Sequence, residues 1–131
     1  MLKSNTIVHE SLNTNLDFLL SRLFLLLGLQ PSRIGFSLLK KAVVLYLDGM
    51  YRMHDIHLEL KALYGNSIES SERNMRALIE SACYHGDIVK INDVVGFTLF
   101  AENQALSTKE FIATICEYIV DPHVQAKLLM Y

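Results

Sequence analysis

Two arginines, Arg73 and Arg76, lie in the segment SIESSERNMRALIE, which begins within the break Gly65-Asn66-Ser67. The planar guanidinium group of arginine can bridge O6 and N7 of guanine, and serine hydroxyls can contact bases or phosphates. A helix-turn-helix uses such side chains, because its short turn, often with glycine, lets the second helix enter the major groove. The same spacing also fits a solvated helix on which both arginines pair with neighbouring glutamates. The segment alone leaves both interpretations open.

A second polar group lies upstream and raises the question of a metal site. It comprises His54, Asp55, His57 and Glu59. Histidines at i and i+3 can share one helix face, but no distant Cys or His pair completes a tetrahedral set. We expect no metal and interpret these residues as ordinary polar residues near the start of a helix.

No pattern in the sequence is typical of an active site. There is no G-x-S-x-G motif and no glycine-rich phosphate loop, and nothing places Cys83 or Cys116 beside a histidine with an orienting partner. Both cysteines lie in predicted amphipathic helices, where a free cysteine usually behaves as a small buried hydrophobic residue. We therefore expect reduced thiols, no cofactor and no enzymatic activity.

The charge balance counts against a nucleic-acid role. Twelve Lys and Arg face fourteen Asp and Glu, so the net charge is -2. DNA-binding domains are often basic, because neutralising phosphates releases counterions and supplies much of the affinity. The most basic region contains Lys40 and Lys41, with Arg33 and Arg52 nearby. These charges could contact phosphates or could only make an apolar helix soluble.

No segment predicts a membrane location. The apolar run 16–29 is interrupted by Asp17 and Arg22 and is too short to span a bilayer. The N-terminal segment is polar, contains Glu10 and leads to no small-residue cleavage site, so it does not resemble a signal peptide. We expect a cytoplasmic protein.

The elements that would position the polar residues are helices. Apolar residues recur every three or four positions and predict helices over about 15–27, 34–47, 54–64 and 67–85. Gly65 would end the third of these. Asn66 or Ser67 can cap the fourth, and Asn66 with Glu69 has capping-box spacing. The segment 88–95 fits either a strand or a short buried helix.

The last predicted helix begins at Ser107, with Glu110 at the capping-box position, and Asp121-Pro122 ends it. A chain of 131 residues with 51% hydrophobic residues suits one globular domain. We predict an all-α fold, a single compact domain of about six helices that contains a helix-turn-helix. Residues 1–13 would form a flexible tail, residues 14–121 the domain, and residues 122–131 a C-terminal tail or helix extension.

Three segments, in this order, resemble a known family. They are LLLGLQPSRIGFSLLKKAV, ERNMRALIESACYHGDI and VGFTLFAENQALSTKEFIA. The first has Gly28, Gly35 and Ala42 in place, with Pro31 one residue late, and the second aligns without a gap with the family's recognition-helix block. Together they span about residues 19–120. They are similar to the C-terminal DNA-binding effector domain of the sporulation initiation master response regulator, stage zero sporulation protein A.

The resemblance implies a transcriptional regulator whose recognition helix lies in the major groove of double-stranded DNA, with a homodimer on tandem sites as one form. The family's two arginines in this helix fall on Arg73 and Arg76, and the glutamate before them falls on Glu72. The capped start of the helix and the basic second helix would contact phosphates. The predicted DNA-binding residues are Ser67, Ser70, Glu72, Arg73, Arg76, Lys40 and Lys41.

Departures from the family support an alternative. Ser70 stands where the family has an arginine and Ala77 where it has a histidine, while Ser71 replaces a buried valine and Cys83 a tryptophan. The alternative is a degenerate interaction module that no longer reads DNA and pairs with the full-length regulator or RNA polymerase. Apolar residues near the C-terminus could serve that contact, namely Val124, Leu128 and Leu129.

The resemblance does not extend to the phosphoacceptor receiver domain that the family normally places before this one. The first thirteen residues cannot fold into such a domain. We expect either a stand-alone paralogue or a fragment of a longer protein, and Met1 favours the paralogue.

Overall fold

The leucine-rich segment 15–26 forms α1, and α2 follows at Ile34–Leu47. The computed structural model describes residues 15–102 and 104–130, so the predicted tail 1–13 lies outside the described residues. Between the two helices, Gly28 has a φ of +85°, and a Cβ atom there would collide with the side chain of Asp87. Glycine is therefore required both for the left-handed backbone and for the close approach.

Helix α2 is the central helix. It contacts α3 (Met53–Tyr64), α4 (Ile68–Tyr84) and α6 (Thr108–Ile119). Neighbours on several sides leave little of its surface to solvent, which is why the apolar face is broad. Its buried residues are Gly35, Phe36, Leu38, Leu39, Ala42 and Val43.

The ambiguous segment 88–95 is helical. A 3-10 turn covers Asp87–Lys90, and the short helix α5 covers Ile91–Val95. Their apolar side chains point into the core. The short helix thus buries the apolar residues that made the sequence compatible with a strand. The buried residues are Ile88, Ile91 and Val95.

Asn92 holds the loop that follows α5. Its side-chain amide donates to the carbonyl of Phe100 at 2.8 Å, and its side-chain oxygen accepts from the backbone N–H groups of Leu99 at 2.7 Å and Phe100 at 3.2 Å. These three hydrogen bonds take the place of regular secondary structure in the connector.

Ser107 and Glu110 form the predicted capping box at the start of α6. The N–H of Glu110 donates to Ser107 Oγ at 3.1 Å, and the N–H of Ser107 donates to Glu110 Oε1 at 3.3 Å. The two bonds satisfy backbone donors that have no partner within the helix.

Residues Pro122–Leu129 form a separate helix, α7, rather than a tail or a continuation of α6. Asp121 caps it through its side chain, and proline at the first position is compatible with a helix start but not with the interior of α6. Val124 and Leu128 are fully buried in the chain's own core, and Leu129 is 59% exposed. Two of the three apolar residues considered for a partner contact are therefore used within the fold.

Within the described residues the fold is all-α, with seven α-helices, one 3-10 turn and no strand. Phenylalanines connect the elements in one core. Phe24 of α1 contacts Phe36 and Phe111, with ring centroids 5.5 and 5.9 Å apart, and Phe100 stacks on Phe111 at 5.8 Å. None of the helices in 15–102 and 104–130 is long and apolar enough to cross a bilayer.

Candidate nucleic-acid interface

A three-residue turn joins α3 to α4. Gly65 ends α3 with a φ of +78°, and its N–H donates to the carbonyl of Lys61 at 2.8 Å, which confirms the predicted helix end. Ser67 is the N-cap of α4, and its Oγ accepts from the N–H of Ser70 at 3.1 Å. With Ser67 as the cap, the residue three positions on is Ser70, so the predicted box with Glu69 is wrong.

Helix α4 has one buried and one charged face. The buried face packs against α2 and α3 and consists of Ser71, Met75, Leu78, Ile79 and Ala82. The exposed face carries all the charged residues of the helix, namely Glu69, Glu72, Arg73, Arg76 and Glu80. Three carboxylates and two guanidinium groups give this face a net charge of -1.

The two arginines differ in what they contact. Arg73 is exposed and makes no hydrogen bond or ion pair with any described residue. Arg76 pairs with Glu72 at 3.4 Å and with Glu80 at 4.0 Å, and all three side chains are at least half exposed. Arg73 is thus available to a ligand at once, whereas Arg76 is held along the helix by weak surface ion pairs.

The two serines at the start of α4 act as hydrogen-bond acceptors. Ser67 Oγ accepts from a backbone N–H, and Ser70 Oγ accepts from the side-chain amide of Asn74 at 3.3 Å. In both bonds the serine oxygen accepts, so each hydroxyl keeps its proton for donation to another group. Ser67 is exposed and Ser70 is half-buried.

The two lysines lie on α2 and differ in their surroundings. Lys40 Nζ contacts Asp17 Oδ1 and Ser21 Oγ, both at 3.0 Å, and lies 5.5 Å from the centre of the Phe36 ring. Lys40 therefore already fastens α1 to α2. Lys41 is half-buried and, with Lys40, lines a cleft of about 370 Å³ that extends to Tyr64, the last residue of α3. The two lysines and the residue before the α3–α4 turn thus border one cleft.

A buried polar pair joins α3 to α4. His57 Nδ1 lies 2.8 Å from Ser71 Oγ, and Ser71 Oγ donates to the carbonyl of Ile68 at 3.1 Å. Desolvation by burial lowers the pKa of His57; Glu72 opposes this shift and His54 adds to it. His57 is therefore not the ordinary polar residue near the start of a helix that the sequence suggested, and its position three residues before Leu60 puts it on the apolar face of α3.

The two cysteines are free thiols in helices α4 and α6. Burial raises the pKa of the Cys116 thiol to about 12, and burial with the nearby Glu80 carboxylate raises that of Cys83. Both thiols are therefore protonated at neutral pH and poor nucleophiles. In the part of the chain that the structure describes, no group of three His, Cys, Asp or Glu side chains could hold a metal ion.

Comparison with known proteins identifies a family. The chain matches the family described as sporulation initiation factor Spo0A C terminal over residues 20–119, a range that includes α2, the α3–α4 pair and α6. No curated protein and no solved structure matches it. The family is one of DNA-binding regulatory domains and not of enzymes. Since the match covers most of the chain, the protein belongs to the family of C-terminal effector domains of the sporulation initiation factor Spo0A.

Proposed function

We propose that the chain is a sequence-specific DNA-binding transcriptional regulator that places α4 in the major groove. The observation that carries this proposal is Arg73, an exposed arginine without a partner among the described residues, on the solvent face of the helix that follows the Gly65 turn. A helix-turn-helix presents the first turns of its second helix to base edges in this way. A regulator that binds chromosomal DNA acts in the cytoplasm, so this proposal implies a cytoplasmic location.

In this proposal Arg73 and Arg76 have different tasks. Arg73 can approach guanine O6 and N7 without giving up a hydrogen bond or ion pair with any described residue. Arg76 has to exchange Glu72 for a base or phosphate, which costs little because exposed ion pairs contribute about 0–1 kcal/mol. Glu72 would then accept a hydrogen bond from cytosine N4. Alternatively, Glu72 keeps its contact with Arg76 and orients the guanidinium group.

Phosphate contacts would fix α4 in the groove. The hydroxyl protons of Ser67 and Ser70 remain available for donation, and both residues lie at the positive end of the helix dipole. Lys41 is better placed than Lys40 to add a contact, because Lys40 would have to leave Asp17 and Ser21. A second copy on a tandem site would double these contacts.

One observation favours a second function, that of an interaction module that pairs with the full-length regulator or RNA polymerase. The exposed face of α4 has a net charge of -1, which repels the phosphate backbone. Ser70 and Ala77 also offer less to a groove than the arginine and histidine that the family resemblance implies there. A protein partner would have no such requirement for positive charge.

Selection from a pool of random duplexes separates the two functions. The wild-type chain should enrich a short sequence, and Arg73→Ala should weaken binding to that duplex by about 1–3 kcal/mol because a bidentate base contact is lost. Arg73→Lys keeps the charge but not the planar fork, so it should weaken binding nearly as much if Arg73 reads a base. Lys109→Ala, which removes an exposed cation on α6, is the matched control and should bind as the wild type does.

Two results would contradict sequence-specific reading by α4. One is the absence of any enriched sequence, in which case co-purification with polymerase or the full-length regulator would support the interaction module. The other is an enriched sequence that Arg73→Ala and Arg76→Ala bind as well as the wild type. If Arg73→Lys binds as tightly as the wild type, Arg73 contacts a phosphate, and Arg76 is the arginine that reads a base.

A further inference from the structure

Two buried polar side chains link the helices on either side of the turn. His57 of α3 is 5% exposed and Ser71 of α4 is fully buried, and no other polar side chain of the described residues is buried to this degree. Their contact of 2.8 Å lies in the interface between α3 and α4. A buried polar group is costly unless it is hydrogen-bonded, so the position of each side chain depends on the other.

The direction of the hydrogen bonds follows from the serine hydroxyl, which has only one proton. With that proton donated to the carbonyl of Ile68 at 3.1 Å, Ser71 Oγ accepts from His57 at 2.8 Å. This arrangement puts the ring proton of His57 on Nδ1. The result is a directed chain from the His57 ring through Ser71 to the Ile68 carbonyl.

The chain of hydrogen bonds ends in the first turn of α4. Ile68 is the first residue of the helix, directly after the Ser67 cap, and Ser71 lies between Ser70 and Glu72 in the sequence. The backbone that carries the proposed DNA contacts is thus fastened to α3 at its start. An apolar contact at the same place would allow α4 to rotate or slide, whereas a hydrogen bond constrains both distance and angle.

We propose that His57 and Ser71 are positioning residues that fix the start of α4 against α3, so that its exposed side chains face DNA in one register. The proposal rests on the proposed function for its consequence in DNA binding, but not for its structural content. Neither residue touches DNA. Their effect on affinity is exerted through the orientation of Ser70, Glu72 and Arg73.

The test uses pairs of variants that have similar shape but differ in the hydrogen bond. Ser71→Thr keeps the hydroxyl, and Ser71→Val has the same branched shape without it. His57→Asn places an amide donor near the position of Nδ1, and His57→Leu keeps apolar bulk without a donor. Ser71→Ala is smaller than serine and serves if the valine variant does not fold.

The first measurement does not involve DNA. In the wild type, the nitrogen chemical shifts of His57 should show a protonated Nδ1, and hydrogen exchange should show protection at the amides of residues 71 and 72. In Ser71→Val and His57→Leu, these amides should exchange about tenfold faster, because both variants remove the hydrogen bond between α3 and α4, and one such bond is worth on the order of a tenfold change in equilibrium. Ser71→Thr and His57→Asn should stay within about threefold of the wild type.

The second measurement is affinity for the duplex selected by the wild type. Ser71→Val and His57→Leu should bind about tenfold more weakly at a temperature where circular dichroism shows them folded, and the other two variants should retain affinity. Equal exchange and equal affinity within each matched pair would overturn the proposal, because only packing would then matter. Failure of the wild type to select any duplex would contradict the proposed function, while the exchange data would still decide whether the pair positions α4.

Discussion

Arg73 and Arg76 show how much the environment of a side chain adds to its identity. Both are exposed arginines on one helix, but Arg76 lies between Glu72 and Glu80, whereas Arg73 has no partner among the described residues. The positive potential near Arg76 is therefore partly cancelled before any ligand arrives. Arg73 is the better candidate for the first contact with DNA.

His57 should make stability depend on pH. Burial lowers its pKa below the ordinary value of 6.5, so the folded chain holds the ring neutral while the unfolded chain binds a proton. The free energy of unfolding should thus fall as the pH drops from about 7.5 through 6.5, and the fall should level off below the pKa of the folded state. Urea unfolding of the wild type and of His57→Asn over this range measures the difference.

The two proteins differ at no other titratable group, so the comparison isolates His57. As the pH falls, the wild type should lose more stability than His57→Asn does. The difference between their unfolding free energies should therefore change with pH. A difference that is constant from pH 7.5 to 5.5 would show that the ring is not desolvated.

The backbones of helices α2 and α4 approach each other closely at Gly35 of α2. A Cβ atom on Gly35 would lie 2.5 Å from the carbonyl oxygen of Asn74 and 3.5 Å from Leu78 Cβ. The residue is helical, so it is the space and not the backbone conformation that requires glycine. Gly28 and Gly35, two landmarks of the family resemblance, are thus both places where distant segments approach closely.

Gly35→Ala is expected to destabilise the protein by about 1–3 kcal/mol, because backbone atoms of α4 cannot move aside as a flexible side chain could. The sign of the effect is informative. In a helix without such a contact, alanine stabilises relative to glycine by about 1 kcal/mol. Urea unfolding gives the answer, and Ser37→Ala, at an exposed position of the same helix, is the control. A higher midpoint for Gly35→Ala would mean that α2 and α4 are further apart.

The charge of the whole molecule limits how it can bind DNA. With a net charge of -2 and a net charge of -1 on the exposed face of α4, few phosphates can be neutralised. If the proposed function holds, the affinity has to come largely from base contacts and from hydrogen bonds by serine and backbone groups. Such binding would be less sensitive to salt than that of a basic domain.

We expect log affinity to fall with log salt concentration with a slope of about -2 to -4, since each neutralised phosphate contributes about 0.9. Titrations of the selected duplex at several salt concentrations measure it. Lys41→Ala should reduce the magnitude of the slope by about one if that lysine meets a phosphate, and Lys109→Ala should leave it unchanged. A slope steeper than about -6 would show that cations outside α2 and α4 bind DNA.

Local sequence was sufficient for most helices and for several of their ends. The spacing of apolar residues predicted α1, α2, α3, α4 and α6, because a helix repeats every 3.6 residues whatever surrounds it. The helix end at Gly65 and the Ser107–Glu110 capping box were also predicted from local sequence, because the groups that interact are within four residues of each other. The exposed positions of Arg73 and Arg76 follow from the same periodicity.

Tertiary packing decided what depends on residues far apart in the chain. Whether 88–95 is helix or strand, and whether 122–129 packs or extends, depends on which core surface each segment meets. Lys40 is held by Asp17, and Arg22 donates to the carbonyl of Leu128 at 3.3 Å, contacts that no local pattern contains. The pairing of His57 with Ser71 is of the same kind, because two polar residues on apolar faces become partners only when α3 and α4 are brought together.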